Sequence, residues 1–351
     1  MTSDVSAKVR SIEHADGTIA LPDAPAIAGL RFRRFRREAD YPGFVDVSNA
    51  ARRADGVTDV ATVEQMANDY PKLTNSDPAT DVIVAEVNGT TVAYARVEWM
   101  DQNDGDRAYT GFGFIHPEWR RRGIGRAMLH HNEWRLREIA SGHAFAGTSY
   151  LSSYAHDSDV GNSALLISEG YRRHRAFFLM VRPDLENIEA APLPAGLEIR
   201  PVEPEHMRPL FLADNEAFID HFGGIDSSDR AFQRWLGDSN FDPSLYLVAW
   251  DGDEIAAAVI NSIDPRENEL HGYRRGLLDS VFTRRAWRKR GVARALIARS
   301  LVLLRDRGMT SAQLGVDEKN PNAALHLYES AGFQVEKRGS AWRKDWDISR
   351  G

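Results

Sequence analysis

The stretch RRAWRKRGVARALIARSL, from Arg284 to Leu301, carries five arginines and one lysine in its first eleven residues and then becomes apolar. An apolar strand pattern, GLLDSVFT, precedes it, and the helical pattern that follows ends at Gly308. The unpaired N–H groups at a helix start carry partial positive charge, and small residues such as Gly291 and Ala293 let a ligand approach the backbone. Strand, basic small-residue turn and helix therefore predict a site for phosphate or pyrophosphate.

Other phosphate and nucleic-acid patterns fit this turn less well. The P-loop pattern GxxxxGK[ST] is absent, and so is GxGxxG with an acidic residue about twenty positions on. A nuclear localisation signal fits RRAWRKR poorly, because the tryptophan and the following helix suit a folded turn. For a single copy, a helix start with solvated arginines explains the pattern as well as a ligand site does.

The pattern occurs twice, however, because HPEWRRRGIGRAMLHHNEWRL runs from His116 to Leu136. Three pairs of landmarks recur at nearly one offset: Gly29 and Gly196 at 167 (196 − 29), Gly123 and Gly291 at 168 (291 − 123), and Gly170 and Gly332 at 162 (332 − 170). The sequence therefore predicts two copies of one domain.

The two copies share a coarse order of elements. Each begins with an alternating strand and helical patterns, and reaches a hairpin signal, Asn88-Gly89 in the first copy and Asp251-Gly252 in the second. Strands, some of them antiparallel, mixed with helices predict an α/β (α+β) fold of packed layers. The predicted boundaries are a polar tail over 1–28, a first domain over 29–182, a linker over 183–195 and a second domain over 196–351.

Composition limits the classes of function. The chain has 351 residues and a formal net charge of −7, which argues against general affinity for nucleic acid or an anionic membrane. The absence of cysteine excludes disulfides, thiolate metal sites and an acyl-cysteine intermediate. No apolar run is long enough for a membrane span or a secretory signal, so we expect a cytoplasmic protein. His130 and His131 lack a partner at helical metal-ligand spacing, so no metal is expected.

The two turns resemble the [RQ]xxGx[GA] signature of the GNAT superfamily of acyl-CoA-dependent N-acyltransferases. The matching residues are Arg288, Gly291 and Ala293 in the second copy and Arg120, Gly123 and Gly125 in the first. The second copy also carries GVDEKNPNAALHLYESAGF, which is similar to the family's late strand and helix. The resemblance covers nearly the whole chain as a tandem, the organisation of mycothiol synthase-like actinobacterial acetyltransferases.

The resemblance implies a duplicated GNAT fold, each copy with a mixed, mostly antiparallel, splayed central sheet flanked by helices. It also implies that acetyl-CoA binds with its pyrophosphate on the backbone of the turn and its pantetheine arm between splayed strands. The residues it indicates for this role in the second copy are Val281, Phe282, Thr283, Arg288, Lys289, Arg290, Gly291, Val292, Ala293, Arg294 and Asn320. A helix cap is the alternative role for Asn320.

Acetyl transfer to an amine needs a base, a donor to the carbonyl oxygen and an acid for the departing thiolate. In the family, a tyrosine four residues before the glycine of a GF pair often supplies the acid. This points to Tyr328 in the second copy, whereas the first copy has Leu166. Asp279, in the strand GLLDSVFT, is the candidate base, and Glu216 and His221 are further candidates that border the acceptor pocket by the same analogy.

The sequence thus predicts an N-acetyltransferase that moves an acetyl group directly to a small-molecule primary amine in a ternary complex. The chemistry is assigned to the second copy, because the first has Leu166 at the position of the acid and nothing in the spacing of Tyr154 favours it as a substitute. The first copy is expected to be degenerate; whether it still binds coenzyme A or only supports the second copy stays open. A core aromatic for Tyr328 and a solvent-facing strand residue for Asp279 are the structural alternatives. A non-catalytic acyl-CoA sensor and a nucleic-acid module with Trp119 and Trp287 as stacking residues are the functional alternatives. The acceptor, and whether the chain is a monomer or a homodimer, stay open.

Overall fold

The computed structural model describes residues 11–320 and 324–346. They separate into two compact units: the first comprises the chain up to His174 together with the residues from Ser340, and the second comprises Arg175–Gly339. Each unit contains a mixed, mostly antiparallel sheet flanked by helices, in the same order of elements. The predicted α/β (α+β) tandem is therefore confirmed.

The first unit follows the predicted order. Its strands are β1 (Ile12–Glu13), β2 (Thr18–Ala20), β3 (Leu30–Arg34), β4 (Val82–Val87), β5 (Thr90–Asp101), β6 (Arg107–Ile115) and β7 (Ser149–His156), and β8 (Arg172–Arg182) leads from it into the second unit. Its helices are α1 (Tyr41–Ala54), α2 (Val63–Asp69), α3 (Pro78–Asp81), α4 (Ile124–Ser141) and α5 (Val160–Ser168).

Neighbouring strands of the first unit pair in chain order. β1 to β6 are antiparallel, and β6 pairs with β7 in parallel. The predicted hairpin joins β4 to β5, with Asn88 and Gly89 at φ 50° and 84°, as a two-residue turn with positive φ requires. Phe44 of α1 stacks on Tyr94 at 4.0 Å on one face of the sheet, while α4 packs Ile124 into the core on the other.

The second unit repeats this plan. Its strands are β9 (Glu198–Arg200), β10 (Leu247–Asp251), β11 (Glu254–Ser262), β12 (Arg275–Thr283), β13 (Ser311–Asp317) and the first part of β14 (Gln334–Asp345). Its helices are α6 (Met207–Ala217), α7 (Asp229–Leu236), α8 (Pro265–His271), α9 (Val292–Asp306) and α10 (Ala324–Ser330).

The sheet of the second unit is covered on both faces. β9, β10, β11 and β12 pair antiparallel in that order, β12 and β13 are parallel, and β13 pairs antiparallel with β8. Along β11, Val259 packs with Leu296 of α9, whereas the next residue, Ile260, packs with Leu210 of α6. Because successive side chains of a strand point to opposite faces, α9 and α6 cover opposite sides of the sheet.

The compact units divide the chain differently from the predicted domain boundaries, which stay a prediction. Part of the predicted tail forms β1 and β2, and Ile19 is buried in the core of the first unit; residues 1–10 lie outside the described part. The residues from Ser340, assigned by sequence to the second domain, belong to the first unit, where Trp342 is buried. The sequence repeat did not predict this assignment, because the burial of Trp342 in the first unit is a tertiary contact.

Candidate active site

The turn between β12 and α9 has an open backbone. After Thr283, a single 3-10 turn leads to Lys289 and Gly291, whose φ angles of 61° and 87° lie in the left-handed region, and α9 starts at Val292. Within the described residues, no side chain caps the first N–H groups of α9. Nor does any described heavy atom beyond the chain neighbours lie within 4 Å of a Cβ built at Gly291. The helix start therefore presents unpaired donors on an open backbone, as phosphate sites do.

The basic side chains of this turn form two groups. Arg288 is held inside the fold, since its guanidinium donates to the carbonyl of Thr283 at 3.0 Å and to Asp220 at 3.0 Å. It therefore ties the end of β12 to the segment after α6. The second group is exposed and makes no ion pair among the described residues: Lys289, Arg290 and Arg294. These three cations are the ones available to further phosphate oxygens.

A gap opens between β12 and β13 beside this turn. Their parallel pairing ends at Leu278 and Leu314, although both strands continue beyond these residues. Gly315, the next residue of β13, is exposed, and no described atom beyond its chain neighbours lies within 4 Å of its Cβ position. The gap is the splay between central strands that the sequence resemblance predicted.

The backbone of β12 faces this gap at alternate residues. The N–H of Arg284, just after the strand, donates to the carbonyl of Ala256 on the opposite side, at 3.0 Å. Because alternate residues of a strand turn their backbone groups to opposite edges, the N–H groups of Val281 and Thr283 point into the gap. A strand N–H in this position is a donor of the kind that stabilises a carbonyl oxygen as negative charge develops on it.

A β-bulge places Asp279 where the gap begins. The pairing of β11 with β12 skips Asp279 between Leu278 and Ser280, so this residue has no partner on β11. Asp279 keeps surface open to solvent, but protein crowds its carboxyl on most sides. This burial raises the pKa of Asp279 to about 6, and a hydrogen bond with Ser262 opposes the rise. Such a carboxyl is mostly ionised at neutral pH and still accepts a proton.

Tyr328 lies on α10 and packs on the α9 face of the sheet. It is buried beside Leu296, whereas Asp279 lies near Tyr246, which packs against α6 on the opposite face. The Tyr328 ring meets Phe333 edge-on at 6.2 Å, and its hydroxyl has no hydrogen-bond partner in the described part of the chain. Burial raises the pKa of Tyr328 to about 12, so the hydroxyl stays protonated at neutral pH, as a donor to a departing thiolate must be.

Glu216 and His221 border the turn. Glu216 pairs with Arg284 at 2.8 Å and lines a cavity of about 690 Å³ between α6 and the β10–β11 hairpin. His221 packs edge-on against Phe218 at 4.5 Å, and burial together with the nearby Arg288 guanidinium lowers the pKa of His221. The contacts thus place Glu216 on the Arg284 side of the turn and His221 on the Arg288 side, and their role with the acceptor stays a prediction.

Asn320 follows β13 at the end of the gap. Its N–H donates to the carbonyl of Asp317 at 3.1 Å. The first residues of the following helical pattern, 321–323, lie outside the described residues, so both roles of Asn320 stay predictions.

Sequence reasoning missed several residues of this site. Gly315 carried a usable signal, because an isolated glycine in the strand pattern SAQLGV indicates close approach of another group. Ser262 and Ser280 carried none, since a serine in a strand has no motif that reveals its tertiary partner. Asp214, which accepts a hydrogen bond from Ser280, was missed for the same reason.

The first unit repeats the backbone of the turn. Arg121 and Gly123 have φ angles of 62° and 91°, and α4 starts at Ile124. Arg120 pairs with Asp55 at 2.6 Å, as Arg288 does with Asp220 in the second unit. The shared motif therefore adopts the same local conformation in both copies.

The surroundings of the first turn are different. Arg126, at the position of Arg294, is neutralised by Glu169 at 2.7 Å. A Cβ at Gly123 would meet the Pro25 ring at 3.2 Å, and one at Gly125 would meet Ile115 at 2.9 Å. The first turn is thus more crowded and carries one cation fewer for a ligand.

The strand gap of the first unit is bridged. The pairing of β6 with β7 ends at Thr110 and Ser152, as in the second unit, but the hydroxyl of Ser153 donates to the carbonyl of Gly111 at 2.8 Å. Gly111 stands where the second unit has Asp279, and β6 pairs with β5 there without a bulge. Leu166 is buried where the second unit has Tyr328. The first unit therefore lacks both candidate catalytic groups in the described structure.

The described residues show no sign of two other kinds of site. Among them, no group of three or more His, Cys, Asp or Glu side chains is placed to hold a metal ion. None of the described helices is long and apolar enough to cross a lipid bilayer.

Comparisons with known proteins agree with the duplicated architecture. A family model described as "Acetyltransferase (GNAT) family" matches residues 207–333, and one described as "Acetyltransferase (GNAT) domain" matches residues 78–158. The solved structure of a GCN5-related N-acetyltransferase from Sphaerobacter thermophilus aligns with a TM-score of 0.65 and 26% identity, covering 90% of this chain and 95% of that one.

Similar sequences point the same way. A mycothiol acetyltransferase of Geodermatophilus obscurus is 29% identical over 311 residues, which cover 84% of this chain and 91% of the relative. A mycothiol acetyltransferase of Salinispora tropica is 31% identical over 277 residues, which cover 73% of this chain and 78% of the relative. The similarity therefore spans both units.

Proposed function

Because the chain belongs to the GNAT acetyltransferase family and is an acyl-CoA-dependent N-acyltransferase, we propose that its second unit transfers the acetyl group of acetyl-CoA to a primary amine. GNAT acetyltransferases use acetyl-CoA. The proposal is supported by the strand gap of the second unit. A carboxyl with a raised pKa lies at its start, a protonated tyrosine lies on one face, and an open turn with unpaired N–H groups lies at its end.

Acetyl-CoA would bind along the gap and the turn. Its pyrophosphate lies on the first N–H groups of α9, where the helix dipole and the left-handed Gly291 favour an anion. Lys289, Arg290 and Arg294 approach the remaining phosphate oxygens. The pantetheine arm then occupies the space beside Gly315, with the thioester next to the N–H groups of β12.

The chemistry would proceed by direct attack in a ternary complex. Asp279 takes a proton from the ammonium group, directly or through a water molecule, and the neutral amine attacks the thioester carbon. The carbonyl oxygen gains negative charge, which a β12 N–H stabilises. As the new C–N bond forms, the C–S bond breaks, and the coenzyme A thiolate takes a proton from the Tyr328 hydroxyl. The new amide nitrogen loses its second proton to water, and water returns a proton to the Tyr328 oxygen. The absence of cysteine from the sequence is consistent with this route and excludes an acyl-cysteine intermediate.

The first unit would not carry out this reaction. A leucine cannot protonate a thiolate, and Gly111 offers no carboxyl to the amine. The Ser153 hydroxyl also occupies the Gly111 carbonyl inside the gap. We therefore assign turnover to the second unit and a supporting role to the first.

The acceptor is proposed to be a small molecule whose amine is a cation in solution. Burial is the main cause of the raised pKa of Asp279, and the nearby carboxylates of Asp238 and Glu267 add to it. The surroundings of Asp279 therefore favour positive charge. The names of the relatives make the amine that precedes mycothiol one candidate, and amino sugars and aminoglycosides are others.

An amine panel tests the proposal. Coenzyme A release from acetyl-CoA is followed with amino-sugar conjugates, aminoglycosides and simple amines, for the wild-type protein and for Asp279→Asn. At least one amine should give turnover that falls about 10²–10⁴-fold in the variant, the range expected when a general base is removed. Acetyl-CoA binding without turnover on any amine would favour a non-catalytic acyl-CoA sensor instead.

A further inference from the structure

The bulge at Asp279 is tied to a helix by its neighbour. Ser280, the next residue, donates its hydroxyl to a carboxylate oxygen of Asp214 at 2.5 Å. Asp214 lies on α6, one of the helices that cover this face of the sheet, and both side chains are partly buried. The bond therefore fixes the bulged segment of β12 against an element outside the sheet.

The bulge in β12 loses ladder pairing at one residue, so a hydrogen bond to a covering helix can stabilise it. Its extra residue leaves the ladder, so the strand gains nothing from pairing there, and a regular register is the alternative. The first unit adopts that alternative, because Gly111 pairs with Val97 of β5 in an unbroken ladder. β12 is covered by α6 and β6 by α1, so we compare the side chains that the two helices present to these strands.

The two helices can be compared residue by residue. Ala217 of α6 and Ala51 of α1 each accept a hydrogen bond from the motif arginine of their own unit, which aligns them. Three residues earlier stand Asp214 in α6 and Ser48 in α1. The Ser48 hydroxyl donates to the carbonyl of Phe44 in its own helix at 2.7 Å, and its side-chain partner in the sheet is Tyr94 of β5 rather than a residue of β6. The bulge and its carboxylate anchor thus occur together in one unit and are both absent from the other.

We propose that Asp214 is a positioning residue for acetyl transfer, which holds the bulge of β12 through Ser280 and so fixes the Asp279 carboxylate at the start of the strand gap. This inference rests on the proposed function of the second unit. Asp214 touches neither cosubstrate nor acceptor in this account and acts only through Ser280.

The electrostatics of the site agree with such an anchor. Burial raises the pKa of Asp214 to about 6, and the Ser280 hydrogen bond opposes the rise. Asp214 is therefore mostly ionised at neutral pH, and an ionised acceptor makes a stronger hydrogen bond than a neutral one. The charged and titratable groups that act on Asp279 itself are Asp238 and Glu267, with Tyr246 beside it.

Three variants test the positioning role: Asp214→Ala, Asp214→Asn and Ser280→Ala. The alanine at 214 removes the anchor, whereas asparagine keeps an acceptor oxygen for Ser280 and removes only the charge. We expect Asp214→Ala and Ser280→Ala each to lower kcat about ten- to a hundredfold, with acetyl-CoA affinity within about twofold of wild type. Asp214→Asn should keep most of the activity, and the double alanine variant should be no worse than either single one.

Two further readouts separate positioning from general damage. The acidic limb of the kcat/KM profile, which reports Asp279, should move in Asp214→Ala and return in Asp214→Asn. Amide hydrogen exchange at residues 278–281 should be at least about tenfold faster in Asp214→Ala than in wild type or Asp214→Asn. The exchange readout does not depend on turnover, so it tests the anchor even if no acceptor amine is found.

Each contrary result has a distinct meaning. Wild-type kcat and exchange in Asp214→Ala would overturn the proposal. So would an Asp214→Asn variant as inactive as Asp279→Asn, because the charge of Asp214 would then act in the chemistry itself. If Asp214→Ala does not fold, Ser280→Ala decides the same question. Full activity of Asp279→Asn would instead refute the proposed function, while faster exchange in Asp214→Ala would still support the anchor.

Discussion

The two units share one turn and differ in the strand gap beside it. In both, the motif arginine binds a carboxylate just after the covering helix, and a glycine in the left-handed conformation precedes the next helix. In the second unit the gap is open at Gly315 and begins with a bulged carboxyl. In the first, a serine hydroxyl bridges the gap and the ladder runs on without a bulge.

This difference shows that the turn motif indicates a local structure, whereas the candidate catalytic groups lie outside it. The [RQ]xxGx[GA] pattern occurs in both copies, and in both it forms the turn that leads from a strand into a helix. The groups that would move protons lie elsewhere, on β12 and α10, and only one copy has them. A conserved-looking turn is therefore weak evidence of activity by itself.

The largest expected effect comes from the candidate acid. Tyr328→Phe keeps the ring and its contact with Phe333 and removes only the hydroxyl. We expect kcat to fall about 10²–10⁴-fold, with little change in acetyl-CoA affinity, because general acid catalysis contributes in that range. Steady-state kinetics on an amine selected by the panel measure both quantities.

The first unit supplies a matched control for this substitution. Tyr154→Phe makes the same chemical change on β7, where no catalytic role is assigned, and should leave kcat within about twofold. A Tyr328→Phe variant with wild-type kcat would remove the hydroxyl from the mechanism and leave Tyr328 as a core aromatic. Tyr328→Ala would then cost mainly stability, about 3–5 kcal/mol.

The open gap can be closed on purpose. Gly315→Val fills space that is empty of described atoms, so the fold should tolerate it while the pantetheine arm should not. The acetyl-CoA dissociation constant is expected to rise at least about tenfold, about 1.4 kcal/mol, by isothermal titration. Ser153→Ala, which removes the bridge of the first unit, should leave that constant unchanged. If Gly315→Val binds acetyl-CoA normally, the arm does not lie in this gap.

A smaller effect concerns stability and pH. Burial raises the folded-state pKa of Asp279 above its ordinary value near 3.9, so ionising this carboxyl disfavours the folded state. That cost is absent below about pH 4, develops between about pH 4 and 6, and is fully present above that range. Asp279→Asn should therefore be more stable than wild type at pH 7.5, on the order of 1 kcal/mol after allowance for its open side, and equal to it near pH 4. Denaturant unfolding at both pH values checks this, and a variant less stable at pH 7.5 would contradict the raised pKa.

The sequence predicted the repeat, the hairpins and both basic turns, because each depends on local patterns of glycine, charge and alternation. By analogy with the family it also named Asp279, on the strand before the turn, and Tyr328, four residues before a GF glycine, as candidates whose roles stay predictions. It did not reveal the bulge at Asp279, because a bulge depends on which residues of two strands pair. The hydrogen bonds of Asp214 and Ser153 could not be predicted for a related reason. Each joins residues far apart in the sequence: Ser280 and Asp214 are separated by 66 positions, and Ser153 and Gly111 by 42. The burial of Trp342 in the first unit could not be predicted either, because it is also a contact between residues far apart in the sequence.

The most direct test of the account is amide hydrogen exchange with and without acetyl-CoA, which needs no acceptor and no variant. If the second unit holds the cosubstrate in its open gap, protection should appear at residues 279–283 and 289–294. The corresponding segments of the first unit, 111–115 and 121–126, should exchange at unchanged rates. Protection of the first-unit segments that equals or exceeds that of the second would contradict the assignment of the active site.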